Sequence, residues 1–253
     1  MTLWVFGDSF STPQEHMSGM QRSGGAPKFK PLDKTWTSIV SKNLTKNTEH
    51  QNFAIQGCSN EYIWTTLITQ RPNIEKDDYV IVQLTSAYRK WFFEDRPHLA
   101  NHFHTKFIPG RDASKVEIKA IDMYQRHLSA EFLNEYNYIM TVAAMQFVAS
   151  QFIGKAKFLI LPGFHPIHGV IGNLSDASGG EFDSEESRTT YYKKTSDARY
   201  NHFSDENHKI LGGKVTKFFT HFEQVDLTNG FKQDIFNKDT VSNIVLPNLA
   251  GLF

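Results

Sequence analysis

Short apolar runs separated by helical stretches most strongly restrict the fold of this chain. The segments 3–6, 79–84 and 157–161 are almost entirely apolar, and the segment 52–55 is a weaker member of the set. Such runs are typical of strands buried on both faces of a parallel sheet, because a strand with one exposed face alternates polar and apolar residues. The chain is therefore predicted to contain four strands of a parallel sheet.

Helical patterns fill the intervals between these runs. Apolar residues recur at helical spacing over 36–44, Ser59 can cap a helix that continues to Ile68, and 204–222 is the last strong helix. The segment 116–152 is predicted to be helical in two pieces, with its apolar part 140–152 buried. The alternation predicts an α/β fold, a doubly wound, flavodoxin-like three-layer α/β/α sandwich with a mainly parallel sheet.

One domain spanning residues 1–253 is expected. The chain is 253 residues long and 40% hydrophobic, which is enough for one substantial core. Two stretches rich in glycine, serine, proline and charged residues, near 13–33 and 167–200, are predicted to be loop excursions from that domain.

Charge and cysteine content exclude several classes of function. Lys plus Arg and Asp plus Glu are 27 each, so nucleic acid and anionic membranes are not expected partners. The single cysteine, Cys58, excludes an internal disulfide and a multi-cysteine metal site, and the histidines at 98, 102 and 104 lack a carboxylate at ligand spacing. No cofactor or metal is expected.

The amino-terminal residues predict a location. Met1 is followed at once by a predicted strand, without the basic region of a secretory signal. No apolar run approaches the roughly 18 residues that cross a bilayer, so membrane insertion is not expected. These features predict a cytoplasmic protein, and nothing in the sequence indicates an oligomeric state.

Small polar residues follow three of the predicted strands. They are Ser9, Gly57 and Ser86, and ligands of doubly wound sheets bind beyond the carboxyl ends of the strands. A serine hydroxyl becomes a nucleophile when a base takes its proton and nearby donors hold the oxyanion that forms. The segment 7–11, Gly-Asp-Ser-Phe-Ser, supplies a serine on a sharp turn where glycine permits the tight backbone.

These segments resemble the conserved blocks of the SGNH/GDSL hydrolases. Residues 7–11 resemble the first block, which carries the nucleophilic serine, and residues 52–60 resemble the second. Residues 201–208, Asn-His-Phe-Ser-Asp-Glu-Asn-His, resemble the histidine block. The resemblance runs in family order from residue 6 to about residue 215. It implies the SGNH hydrolase fold and a serine esterase with Ser9 as nucleophile.

The resemblance also implies an oxyanion hole. The backbone N–H groups of Ser9 and Gly57 would be two of its donors. The third block departs from the family pattern, since Leu-Thr-Ser-Ala at 84–87 replaces Gly-x-Asn-Asp. Ser86 falls where the asparagine would lie, and its hydroxyl, or that of Thr85, can donate one hydrogen bond.

The resemblance implies His202 as the general base. The family's acid normally stands three residues before the histidine, but that position is Arg199 here, and the nearest upstream carboxylate is Asp197. Asp197 is therefore the predicted acid. A second register, with Asp205 and His208 as the acid and base, remains open at the level of the sequence.

Two functions from different classes follow. The first is a serine hydrolase that cleaves a carboxylic ester or a carbohydrate O-acetyl group, with a small-molecule or carbohydrate ester as substrate. The alternative is a non-catalytic binding or structural protein of the same fold with a degraded oxyanion hole. Nucleotide binding ranks last, because the turn at 7–11 has one glycine, an acidic residue and no lysine. The basic and aromatic segment 89–93 is predicted to be a buried cluster under a loop.

Overall fold

The computed structural model describes residues 1–11, 35–44, 49–55, 57–91, 101–102, 115–127, 131–178, 180–182, 203, 205–232 and 234–236. In chain order the strands and helices are β1 (Thr2–Phe6), α1 (Trp36–Leu44), β2 (Glu49–Asn52), α2 (Asn60–Gln70), a 3-10 turn (Arg71–Asn73), β3 (Tyr79–Gln83), β4 (Arg89–Lys90), β5 (Asn101–His102), α3 (Lys115–His127), α4 (Glu131–Ser150), β6 (Lys157–Leu161), α5 (Leu174–Ser178), β7 (Gly180–Phe182), α6 (Asp205–His221) and β8 (Asp234–Phe236).

A four-stranded parallel sheet forms the centre of the molecule, with the strand order β2-β1-β3-β6. The chain leaves β1, forms the edge strand β2, and then returns to the other side of β1 to add β3 and β6. This order and the intervening helices are those of an open, doubly wound α/β fold, as the sequence predicted.

Alternate residues of the strands build two separate cores. Leu3 and Val5 of β1 face the cluster that contains residues of α1 and α6, whereas Trp4 and Phe6 face the cluster that contains residues of α2 and α4. Because side chains of a strand alternate between its faces, both faces of β1 are covered. The described part of the chain is therefore a three-layer α/β/α sandwich.

The edge strand β2 differs from its prediction. The sequence placed it at 52–55, but the strand comprises Glu49–Asn52. These residues are only partly buried or exposed, so polar side chains are tolerated there, and a search for apolar runs misses them. Pairing with β1 nevertheless continues beyond the strand, since the N–H groups of Phe53 and Ile55 donate to the carbonyls of Val5 and Gly7 at 2.8 and 3.0 Å.

Helix α4 corrects another expectation. The segment 116–152 does form two helices, α3 and α4, but residues 140–152 are not uniformly buried. Met145 and Val148 are buried, while Met140 and Phe147 are 50% and 67% exposed. A helix that packs on one face of a sheet buries one stripe of side chains, and residues on the opposite side face outward whatever their type.

The two predicted excursions are described only in part. The stretch 13–33 lies outside the described residues. Within 167–200, residues 174–178 form α5, and β7 pairs in parallel with β8. In the described part of the chain, no helix is both long enough and apolar enough to cross a membrane.

Candidate active site

The turn that follows β1 is fixed by hydrogen bonds to β3. The Asp8 N–H and the Ser11 hydroxyl both donate to Oε1 of Gln83, at 2.8 and 3.2 Å. A Cβ atom on Gly7 would lie 2.6 Å from the same oxygen, so a larger residue would push the turn away from the strand. Ser9 is half-buried within this turn.

The Asp8 carboxylate is the most heavily bonded group of the turn. It is completely buried, and its Oδ1 accepts the Phe10 N–H at 3.0 Å. Its Oδ2 accepts the Thr85 hydroxyl at 2.6 Å and pairs with Nη1 of Arg89 at 2.7 Å. The carboxylate therefore forms hydrogen bonds both within the turn that carries Ser9 and with the residues that follow β3.

Gly57 occupies the turn between β2 and α2 with a φ of 75°. That left-handed conformation favours glycine at this position. The Cys58 thiol donates to the Gly7 carbonyl at 3.3 Å, which links this turn to the one that carries Ser9. Burial, with Asp8 adding to the effect, raises the pKa of Cys58, which favours the neutral thiol.

The segment after β3 is held by Asn60, the first residue of α2. The Thr85 N–H donates to Oδ1 of Asn60 at 2.9 Å, and Nδ2 of Asn60 donates to the carbonyls of Thr85 and Ser86 at 3.2 and 3.4 Å. Ser86 is buried, and its Oγ accepts the Tyr88 N–H at 3.2 Å. Ser59 caps α2, as predicted, by accepting the Tyr62 N–H.

Aromatic rings form another side of the site. Phe10, the residue after Ser9, packs on Phe164 and on Phe203, with ring centroids 5.6 Å apart in each pair. Phe164 lies in the loop after β6. Phe203 lies two residues before Asp205, the first residue of α6. The Arg89 guanidinium lies 5.7 Å from the centre of the Phe164 ring.

The histidine of the alternative register has a structural partner. His208 is buried on α6, and its Nδ1 accepts the N–H of Trp36 at 3.2 Å. Trp36 in turn donates its Nε1–H to the Phe10 carbonyl at 2.8 Å. His208 thus joins α6 to the start of α1.

The predicted site residues fall into two groups. Ser9, Gly57 and Ser86 all follow carboxyl ends of neighbouring parallel strands, and hydrogen bonds connect the three segments that carry them. His202 and Asp197 lie outside the described residues. Asp205 begins α6. Among the described residues, no group of His, Cys, Asp and Glu side chains is arranged to hold a metal ion.

The sequence motifs did not predict the contacts that three residues make in this region. Gln83 accepts hydrogen bonds from the turn that carries Ser9. Asn60 accepts one from the segment after β3, and Arg89 pairs with Asp8. The segment 89–93 was predicted to be a buried cluster under a loop, but Arg89–Lys90 form β4 and are only partly buried. Trp91 is also half-buried and packs against Tyr62 at 5.4 Å. A buried aspartate needs a cation or hydrogen-bond donors as partners. Asp8 in the turn was therefore the one sequence feature that indicated a partner such as Arg89.

Comparison with protein-family models and with curated proteins finds no match. Among solved structures, a G-D-S-L family lipolytic protein from Desulfitobacterium hafniense is 12% identical, with 85% of this chain and 98% of that chain covered and a TM-score of 0.38. An aryl esterase from M. smegmatis is 14% identical, with 88% and 99% covered and a TM-score of 0.38.

A carbohydrate acetylesterase family member from Sinorhizobium meliloti is 15% identical, with 87% of this chain and 99% of that chain covered and a TM-score of 0.33. The fold assignment rests on the strand order and the two helical layers described above.

Proposed function

We propose that this chain is a serine hydrolase that cleaves an ester through an acyl-enzyme on Ser9, the ester being a carboxylic ester or a carbohydrate O-acetyl group. The observation that carries this proposal is the turn at 7–11. It holds a half-buried serine at the carboxyl end of the central strand β1, fixed through Gln83 and Asp8. Such a turn fixes the backbone that carries Ser9 without burying the side chain completely.

His202 is the proposed general base, with Asp197 as the acid that orients it. The contact between the buried rings of Phe10 and Phe203 supports this choice, because Ser9 and His202 are the residues that directly precede them in sequence. In a Ser-His-acid arrangement, the Nδ1–H of the base donates to the acid. Since Nδ1 of His208 accepts a backbone N–H, its geometry supports His202 over the Asp205 and His208 register.

In the proposed reaction, His202 removes the Ser9 proton as Oγ attacks the ester carbonyl carbon. The carbonyl π electrons move to oxygen and form the oxyanion. Collapse of this intermediate breaks the bond to the alcohol oxygen, which takes the proton from the imidazolium. Water, deprotonated by His202, then attacks the acyl-enzyme, and Ser9 leaves with its proton restored.

The proposed donors to the oxyanion are the backbone N–H groups of Ser9 and Gly57 and the hydroxyl of Ser86. The hydroxyl accepts from the Tyr88 N–H, an arrangement that leaves its own proton available for donation. Donors fixed in advance stabilise the charge that develops in the transition state without further reorganisation.

Substitution of the nucleophile tests the proposal. We expect the wild type to hydrolyse a short-chain nitrophenyl ester and to be labelled by a fluorophosphonate probe, and Ser9→Ala to lose both properties with an unchanged melting temperature. Ser150→Ala, which removes an exposed hydroxyl at the end of α4, is the matched control and should behave as the wild type. Full activity in Ser9→Ala would contradict the proposal. An inactive, unlabelled wild type would favour the non-catalytic alternative.

The base is tested by the same assay. His202→Ala should abolish turnover, and wild-type activity should fall as the pH drops through about 6.5, since only neutral imidazole accepts the proton. His208→Ala should retain activity but lose about 1 kcal/mol of stability, because the Trp36 N–H loses its partner. If only His208→Ala is inactive, the Asp205 and His208 register is correct.

A further inference from the structure

An ion pair lies inside the protein beside the proposed nucleophile. The Asp8 carboxylate is completely buried, and the Arg89 side chain is 11% exposed. One nitrogen, Nη1 of Arg89, donates to Oδ2 of Asp8 and to the hydroxyl oxygen of Thr85, both at 2.7 Å. The Thr85 hydroxyl donates to the same carboxylate oxygen, so the three groups form a closed triangle.

This triangle connects the two segments that the proposed oxyanion hole needs. Asp8 immediately precedes Ser9 and also accepts the Phe10 N–H, which fixes the turn on both sides of the nucleophile. Thr85 immediately precedes Ser86. The relative position of Ser9 and Ser86 therefore depends on contacts between the residues that precede them.

We propose that Arg89 is a positioning residue for the hydrolysis, which acts through Asp8 and Thr85 to hold the Ser9 turn in register with the Ser86 donor. This inference rests on the proposed function. The Phe164 ring against the guanidinium restricts the side chain further, and the same ring contacts Phe10. Arg89 thus contacts residues that follow β1, β3 and β6.

Charge gives a second reason for an arginine at this position. A buried carboxylate one residue from the nucleophile would oppose the negative charge that develops on the substrate oxygen. The guanidinium offsets that charge. A lysine would keep the charge but lacks the planar guanidinium that lies over the Phe164 ring.

The first test compares steady-state kinetics of Arg89→Gln, Arg89→Lys and a neighbouring control. We expect Arg89→Gln to lower kcat by about 10- to 100-fold with KM within about twofold, the pattern of misplaced catalytic groups. Arg89→Lys should recover part of the loss. Lys90→Gln removes the next cation, which pairs with the partly exposed Glu61, and should leave kcat unchanged.

Loss of the arginine alone leaves Asp8 buried without its cation, so Arg89→Gln tends to unfold. The double variant Asp8→Asn/Arg89→Gln removes both charges and keeps an amide oxygen for the Phe10 N–H. We expect its melting temperature to return to near the wild-type value, while kcat stays at least about tenfold below the wild type because no guanidinium bridges the Ser9 turn and Thr85.

The outcomes separate the inference from the function on which it rests. An active, labelled wild type with wild-type kcat in the double variant overturns the positioning role and leaves the hydrolase intact. A raised KM at unchanged kcat in Arg89→Gln also overturns it, since that result indicates a direct substrate contact. A wild type that neither hydrolyses ester nor reacts with the probe overturns both.

Discussion

Ser86 is the residue at which the proposed site departs most from the pattern it resembles. It is buried after β3, and its carbonyl and the preceding Thr85 N–H are both bonded to Asn60. Its backbone is thus fixed, and the hydroxyl extends less far than the amide of an asparagine would. A hydrogen bond from Ser86 to the substrate oxygen therefore requires that this oxygen lie close to the end of β3.

Truncation of this residue measures its contribution. We expect Ser86→Ala to lower kcat by about 10²–10³-fold with little change in KM, as the loss of one oxyanion donor does. Ser86→Asn should retain or increase turnover if the longer amide reaches the same oxygen. Steady-state kinetics on the nitrophenyl ester provide the measurement. An unchanged kcat in Ser86→Ala would leave only backbone donors in the proposed oxyanion hole, because the Thr85 hydroxyl donates to Asp8.

Among single residues, the sequence predicts those that belong to a short motif and misses those whose partners lie far away in the sequence. Ser9 and Gly57 follow from short motifs at strand ends, and the structure has them after β1 and β2. The pair between Asp8 and Arg89 spans 81 residues. No spacing rule indicates such a pair, because only the folded sheet brings the ends of β1 and β3 together.

Among the elements, α1 and α6 make the closest approach. Gly212 of α6 faces α1, where an added Cβ would lie 2.7 and 2.9 Å from Cγ2 and Cβ of Ile39. The next residue, Gly213, has no neighbour within 4 Å of such an atom. The two glycines therefore have the same helix propensity and different surroundings.

Alanine at each glycine separates propensity from packing. Gly213→Ala should stabilise the protein by up to about 1 kcal/mol, the usual gain over glycine within a helix. Gly212→Ala should destabilise it by about 1–2 kcal/mol, because overpacking between the helices exceeds the same gain. Urea unfolding of both variants provides the comparison, and equal stabilities would contradict the close packing of α1 on α6.

Elements buried in the sheet were predictable and half-buried ones were not. β1, β3 and β6 are apolar runs because both of their faces are covered. β2 lies at the sheet edge, so its polar residues Glu49–Asn52 carry no such signal. For α4 the sequence predicts a helix. Because apolar residues occur on its buried and its exposed sides, the sequence does not show which stripe of side chains faces the sheet.

For the whole molecule, two half-buried histidines are expected to couple folding to pH. Burial lowers the pKa of His50 on the edge strand. Burial also lowers the pKa of His165, with Glu135 opposing the shift, and its ring lies between Tyr88 and Tyr138. Both groups favour the neutral form in the folded state, so the unfolded chain binds protons at a higher pH.

The free energy of unfolding should therefore decrease as the pH falls from about 6.5 toward the lowered pKa values of the folded state. Above the ordinary histidine pKa this contribution is fully present. His50→Gln and His165→Gln should each reduce the pH dependence. Urea unfolding between pH 5 and pH 8 tests this, and an unchanged slope in both variants would contradict it.

The strand order has a further consequence for how activity is lost. Ser9 follows β1, which is bonded on both sides, whereas Gly57 follows β2, which has one bonded neighbour within the described sheet. Local opening begins at elements with few partners and reaches interior strands only in global unfolding. Amide hydrogens of β2 should thus exchange with solvent before those of β1. Mild denaturant should then weaken the proposed oxyanion hole at Gly57 while the turn that carries Ser9 is still intact.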